Sequence, residues 1–250
     1  MKLTPKRIVA ALALIATGAA HADPLTVIKG GATFQGSGTL SFSAELLGAL
    51  DTGKIVTTNY GAVTSSITKD SEGYYSEISV SAPMQTLTLD DTSLAVLGVG
   101  TKGGMTLTAP VLRSVSSGGS LTVTDINADL TSKTIYATII GGNGVGTINN
   151  FALWNFATIV GPTSYIGPGT YVDDMSGLTL TADGFAKFSQ SLGLLSLGKS
   201  AMSGITDYGT IHSVLHTTLV LTPEVPEPTT YALMGLGLLG IAFTARRKAA

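Results

Sequence analysis

Hydrophobic and polar residues alternate with a period of two in short stretches between residues 23 and 222. Such alternation puts apolar side chains on one face of a β-strand and polar side chains on the other. Gly, Ser and Asp turns separate the stretches at intervals of roughly 10 to 20 residues. The pattern predicts a mainly β, antiparallel β-sandwich-like single domain, while the lack of a fixed repeat length argues against a β-solenoid. The predicted strands are 33–43, 55–60, 74–81, 84–89, 105–109, 121–126, 134–140, 147–160, 178–181 and 209–221.

Two segments give sharper local predictions. Residues 121–130 and 134–140 alternate Thr with β-branched residues around the turn 131–133, which predicts a hairpin with one dry and one wet face. Residues 183–198 instead repeat apolar residues at helical intervals, with Asp183 as candidate N-cap and Gly198 as candidate C-cap. We therefore expect one amphipathic helix that packs on the sheet.

The N-terminus has the three parts of a secretory signal peptide. Basic residues at 2, 6 and 7 precede an apolar run at 8–16, and small residues lead to Ala20 and Ala22. This layout predicts cleavage before Asp23. Nine apolar residues are too few for a membrane-spanning helix, which needs about 20, so residues 1–22 are interpreted as an export signal rather than an anchor.

The C-terminus predicts a membrane segment of a particular kind. An apolar stretch at 231–245 is followed by Arg246, Arg247 and Lys248 in the basic tail 246–250. Fifteen residues give a helix of only about 22 Å, but the terminal cations favour a stop-transfer segment over a buried core helix. The preceding linker, 223–230, contains two prolines, which favour an extended and accessible backbone.

The order Val225, Pro226, Glu227, Pro228, then a Gly-rich apolar helix, then Arg and Lys, resembles the PEP-CTERM sorting signal of exported proteins in Gram-negative bacteria. The resemblance implies recognition and processing at Pro-Glu-Pro by an exosortase, a membrane-embedded protease. It also implies residence in the inner membrane before processing, and a location at the cell surface or outside the cell afterwards. Glu227 is the recognition charge by this resemblance alone.

Composition narrows the classes of partner. The chain has no Cys, which excludes disulfides, thiol catalysis and Cys-ligated zinc. Six of the 14 Lys and Arg residues lie in the two terminal signals, whereas all 16 acids lie between Asp23 and Glu227. The body therefore has eight cations against 16 acids, a net charge of −8. Such a body is not attracted to nucleic acid by its charge.

Candidate chemistry in the body is sparse. His212 and His216 lie four apart in a predicted strand, too far apart to share a metal ion, and are expected to make two separate polar contacts. The acid pairs Asp90/Asp91, Asp125/Asp129 and Asp173/Asp174 are interpreted mainly as turn acids, with calcium binding left open. The glycine-rich segment 141–146 precedes an alternating stretch rather than a helix, so a hairpin loop is expected instead of a phosphate site.

Trp154, Tyr165 and Tyr171 lie close together in sequence and are candidates for stacking against a ligand. Core packing is the stronger interpretation for Trp154. The segment 121–197 faintly resembles β-rich domains of surface haem-binding proteins, but no haem ligand can be assigned from it. No cofactor or metal is predicted.

These observations predict an exported, non-enzymatic surface or extracellular-matrix protein of the exopolysaccharide or biofilm type. Exopolysaccharide is a further candidate partner. The alternative is a surface glycan- or haem-binding module. An enzyme acting through Asp173 and Asp174 is the third hypothesis.

Overall fold

Strands dominate the computed structural model, which describes residues 25–28, 34–90, 92–218 and 220. Threonine and β-branched residues at alternate positions account for this, since they suit a pleated and half-buried surface. The described strands are β1 (Leu25–Ile28), β2 (Phe34–Phe42), β3 (Val56–Tyr60), β4 (Thr64–Lys69), β5 (Tyr75–Leu89), β6 (Val96–Thr101), β7 (Gly104–Leu112), β8 (Ser116–Asp129), β9 (Thr134–Gly141), β10 (Gly146–Asn155), β11 (Thr158–Val160), β12 (Gly169–Ser176), β13 (Thr179–Leu180) and β14 (Gly209–Thr217). The described helices are α1 (Ala44–Thr52), α2 (Ala182–Ser191) and α3 (Ser196–Ser203).

The described strands form one antiparallel sheet in the order β11-β12-β14-β2-β5-β6-β8-β9-β10-β13, with β1, β3, β4 and β7 joined at its sides. Strand β5 connects the two halves. Its first part pairs with β2 and β4, and its second part pairs with β1 and β6. The prediction of an antiparallel, mainly β fold is confirmed. The sheet is continuous and curled, however, and is not divided into the two separate sheets that define a sandwich.

The hydrophobic core has two clusters. The larger draws buried residues from both halves of the sheet, including Leu40 and Val80 on one side and Leu107 and Ile139 on the other. The curl of the sheet therefore lets its two halves bury their apolar faces together. The smaller cluster contains Phe34, Met84, Leu87, Leu89, Leu94, Tyr165, Tyr171 and Leu215.

The predicted hairpin 121–140 is confirmed. Strands β8 and β9 pair from Leu121 opposite Gly141 to Asp129 opposite Thr134. The pairing shifts between Thr124 and Asn127, where Asp125 has φ +52°. The Asp125 carboxylate accepts the Gly103 backbone N–H at 3.0 Å and pairs with Lys102 at 2.8 Å.

The helix predicted over 183–198 is wrong in extent. Helix α2 starts after Thr181, whose hydroxyl accepts the Gly184 N–H at 2.8 Å, so Thr181 and not Asp183 is the N-cap. Helix α2 stops at Ser191, and Gly193 has φ +62°. A Cβ there would lie 2.6 Å from Gly118 O, so this left-handed position, where the chain leaves the helix, requires glycine. Gly198 lies inside α3 and is not a C-cap.

Several elements depart from the predicted list. Helix α1 and strands β1, β4, β6 and β12 were not predicted, and the two strands predicted at 74–81 and 84–89 are the single strand β5. The stretch 147–160 is divided into β10 and β11.

In the described parts of the chain, no helix has the length and apolar character needed to cross a bilayer. The predicted signal peptide with Ala20 and Ala22, the linker 223–230, the apolar helix 231–245 and the basic tail all lie outside the described residues.

Candidate functional site

The aromatic residues predicted from sequence do not form one exposed surface. Trp154 is 6 % exposed and belongs to the larger core cluster. Tyr165 and Tyr171 are 3 % and 6 % exposed and stack on each other in the smaller cluster, with ring centroids 5.6 Å apart. The Tyr171 hydroxyl accepts the Ile166 N–H at 3.0 Å and donates to Gly167 O at 2.6 Å. Their burial gives all three residues a packing role in the described fold.

Trp154 also lines an apolar cavity of about 60 Å³ inside the curled sheet, and its Nε1 has no hydrogen-bond partner among the described residues. The side chains of Leu40, Leu107 and Phe188 also line this cavity. Ligand sites for small molecules usually enclose about 300–1,000 Å³, so this space corresponds to a packing gap between the two halves of the sheet.

The two histidines make separate polar contacts on β14, as predicted. His212 Nδ1 lies 2.7 Å from Asp174 Oδ1, and His216 Nδ1 lies 2.8 Å from Thr170 Oγ1. Both contacts join β14 to its neighbour β12, where Asp174 pairs opposite His212 and Thr170 opposite His216. In the described ranges, no group of three or more His, Asp or Glu residues has a geometry suited to a metal ion.

The acid pairs occupy distinct environments. Asp90 and Asp129 are turn acids, as predicted, because each accepts backbone N–H groups two and three residues later. Asp173 differs, since it is half-buried, and burial together with the Asp174 charge raises its pKa from 3.8 to about 6. It borders the smaller core cluster near Tyr165 and Ser213.

The glycine-rich segment 141–146 forms the turn between β9 and β10, so the hairpin-loop prediction is confirmed. Asn143 has φ +51°, and its side-chain amide donates to Gly118 O at 2.9 Å and to Ser191 O at 3.1 Å. The loop therefore connects the sheet to the end of α2.

A surface groove across strands β6, β8, β9 and β10 was not predicted. Its lining includes Gly98, Asn127, Asp129, Thr131, Tyr136 and Asn150, and it encloses about 470 Å³. We call it the sheet-face groove. The polar face of the β8–β9 hairpin could have indicated this groove from the sequence. On that face Asn127 and Tyr136 alternate with the buried residues Ala128 and Ile135.

Comparison with known families identifies the C-terminal segment. Residues 224–248 match the PEP-CTERM protein-sorting motif. The chain carries a PEP-CTERM sorting signal. The matched residues include Val225, Pro226, Glu227, Pro228, Arg246, Arg247 and Lys248. This match confirms the resemblance drawn from sequence and implies processing by an exosortase, which is a membrane protein. Comparison with curated proteins and with solved structures gives no significant match.

Proposed function

We propose that this protein is exported, is retained in the inner membrane by residues 231–245, and is processed by an exosortase at Val225–Pro226–Glu227–Pro228. The processed body then serves at the cell surface or in the extracellular polysaccharide matrix as a non-enzymatic structural or adhesive protein. The PEP-CTERM match at 224–248 is the observation that carries this proposal.

The charge distribution supports the same route. Arg246, Arg247 and Lys248 follow the apolar segment, as expected for residues that stay on the cytoplasmic side. All 16 acids lie between Asp23 and Glu227 and give the processed body, which ends near Pro228, its net charge of −8. That charge keeps the released body soluble and repels anionic lipid surfaces.

The polar surface of the body supports a role outside the cell. The whole chain has 35 Thr and 23 Ser residues, which together outnumber its 30 charged residues. Pairs such as Thr68 with Ser76, 2.9 Å apart, and Thr158 with Ser176, 2.7 Å apart, join neighbouring strands by hydroxyl hydrogen bonds at the surface. A hydroxyl-rich sheet surface suits contact with neutral, hydrated polymers.

The sorting proposal is tested by intact mass and cell fractionation of the protein made in its native host. We expect the wild-type chain to lose its apolar helix and basic tail by processing close to Pro228 and to leave the membrane fraction. Glu227→Ala should keep full C-terminal length in the inner membrane, while the matched control Glu224→Ala should be processed like wild type. Retention of residues 246–250 in the wild-type protein would identify an ordinary membrane anchor.

Surface glycan binding is the second candidate function. The observation that favours it is the sheet-face groove, which is lined by amide, hydroxyl and tyrosine side chains.

A further inference from the structure

The lining of the sheet-face groove includes one glycine, Gly98 in β6, which pairs with Asp129 in β8. A Cβ at Gly98 would approach Ala128 O at 3.1 Å, so glycine lets the backbones of β6 and β8 lie close together here. Gly100, which pairs with Asn127, is not part of the lining, because the Thr86 side chain fills the space beside it.

Two irregularities in strand pairing flank the groove. The pairing of β8 with β9 shifts between Thr124 and Asn127, and the pairing of β10 with β9 shifts between Ile148 and Phe151. Asn150 lies within the second shift and has φ +50°. Bulges of this kind redirect side chains and are frequent beside functional sites. Here they place exposed amides at 127 and 150 on either side of β9.

Tyr136 lies between these amides. It is directly opposite Asn127 in the β8–β9 pairing and is half-buried, so part of its ring remains accessible on the sheet surface. An aromatic ring with an attached hydroxyl offers both an apolar face and a hydrogen-bonding group. The apolar C–H face of a sugar ring can pack on such a ring while its hydroxyls reach neighbouring polar groups.

The hydrogen-bonding groups in the sheet-face groove suit a ligand with hydroxyl groups better than a charged ligand. Asn127 and Asn150 each supply donors and an acceptor, and Thr131 supplies a hydroxyl. Asp129 Oδ1 accepts the backbone N–H groups of Thr131 and Ser132, so the carboxylate is held in place at the edge of the groove. Partial burial acts to raise the pKa of Asp129, but hydrogen bonds from Ser132 and Thr131 lower it below its ordinary value, so this group is ionised at neutral pH.

The lining contains no Lys, Arg or His, and its one charge is negative. An anionic ligand would therefore meet repulsion without a compensating cation. Leu97 and the Tyr136 ring add apolar surface beside these polar groups, which suits a ligand with both apolar and hydroxyl-bearing faces. The volume of about 470 Å³ lies within the range of small-ligand sites, about 300–1,000 Å³.

We propose that the sheet-face groove binds a neutral polysaccharide, with Tyr136 packing on a sugar ring and with Asn127, Asp129 and Asn150 holding its hydroxyls. This inference rests on the surface location proposed above, because only there would the body meet such a polymer.

The experiment measures binding of the purified full-length chain to defined hexasaccharides by titration calorimetry. The neutral probes are the hexamers of β-1,4-linked glucose, α-1,4-linked glucose and β-1,4-linked mannose, and the anionic probe is hexagalacturonate. We expect at least one neutral hexamer to bind. Tyr136→Ala should weaken that binding at least tenfold, and Tyr136→Phe, which keeps the ring, should weaken it much less.

Asn127→Ala, at an exposed position, provides a second variant that leaves the core unchanged and should also weaken binding severalfold. The matched control is Tyr60→Ala, which removes an exposed tyrosine from β3 and should leave binding unchanged. Thermal unfolding of each variant separates loss of the groove from loss of the fold. The inference is overturned if no neutral hexamer binds, if hexagalacturonate binds as well as the neutral probes, or if folded Tyr136→Ala and Asn127→Ala both bind like wild type.

Calorimetry with purified protein does not depend on sorting. A chain that binds the glycan but is never processed would retain the groove and contradict the exosortase proposal. A chain that is processed but binds none of the neutral hexamers would support the exosortase proposal and contradict glycan binding in the groove.

Discussion

At the scale of single residues, Asp173 is a half-buried acid with a raised pKa. One carboxylate oxygen is fully buried and has no hydrogen-bond partner among the described residues. A Cβ at Gly161 would lie 2.2 Å from that oxygen, so the adjacent chain covers it closely. Loss of water around a carboxylate disfavours its charged form, and the neighbouring charge of Asp174 adds to the effect. The pKa is accordingly raised to about 6.

This environment predicts a pH-dependent cost to stability. Below pH 3.8 the carboxyl is mostly protonated in the folded and unfolded states alike, so it carries little charge penalty. Between 3.8 and about 6 the unfolded chain ionises first, and stability falls as pH rises. We expect Asp173→Asn to leave stability nearly unchanged at pH 4 and to raise it by about 1–2 kcal/mol at pH 7.5, after allowance for partial exposure.

Urea unfolding of wild type and Asp173→Asn at the two pH values measures this difference. Glu77→Gln, which neutralises an exposed acid on β5, is the control and should show no such dependence. An equal effect of Asp173→Asn at pH 4 and pH 7.5 would show that the substitution acts through shape and not through charge.

The residue-level predictions from sequence succeeded where strand geometry alone decided them. Residues four apart in a strand share a face, so His212 and His216 could be assigned separate contacts before their partners Asp174 and Thr170 were known. The aromatics were different. Whether Tyr165 points into the core depends on how the loop 161–168 returns to the sheet, and hydrophobic periodicity holds no information about that path.

At the scale of elements, glycine explains one missed strand. Alternation can be recognised only when the residues on both faces of a strand carry side chains. In β6, Gly98 and Gly100 lie on the same face and have no side chains. In β4 every position is exposed, so no apolar face marks the strand. Helix α1 did have a usable signal, because Ser43 caps it by accepting the Leu46 N–H at 3.1 Å.

The start of α2 provides a direct test of the corrected helix assignment. The Thr181 hydroxyl accepts the Gly184 N–H and donates to Ala152 O, each at 2.8 Å, so it both caps the helix and attaches it to β10. We expect Thr181→Ala to lower the free energy of unfolding by about 1–2 kcal/mol. Asp183→Ala should cost only a few tenths, about 0.3–0.5 kcal/mol, through loss of a favourable charge in the first helical turn.

Thermal and urea unfolding of both variants give the comparison, and Thr181→Ser should retain most of the wild-type stability because it keeps the capping oxygen. A larger loss for Asp183→Ala than for Thr181→Ala would mean that the helix starts where the sequence first suggested.

At the scale of the whole molecule, the continuity of the sheet could not be predicted. Pro83 interrupts the alternating pattern and lacks an N–H, which led to two predicted strands where β5 is one. In the fold Pro83 pairs opposite Ser37, and its carbonyl accepts the Lys102 N–H at 2.9 Å. It therefore lies where β5 passes from one set of neighbours to the other, and such a change of partners depends on contacts distant in sequence.

The distance between the body and the processing site is also a property of the whole molecule. Strand β14 ends at Thr217, nine residues before Pro226. Nine residues extend to at most about 32 Å. A folded body of about 200 residues has a radius of gyration of about 16 Å, so the connecting segment is long enough, with little excess, for a membrane-embedded protease to reach Pro-Glu-Pro beside the body.

This geometry predicts that spacing controls processing. Deletion of residues 219–222 shortens the maximum reach to about 18 Å, close to the dimension of the body itself. We expect the deletion to slow the conversion of full-length to processed protein severalfold in a pulse-chase experiment read by intact mass. Insertion of four Gly and Ser residues at the same place should leave the rate unchanged, because it only adds reach. Processing of the deletion variant at the wild-type rate would mean that the protease does not need this separation and that recognition depends on the motif and its apolar helix alone.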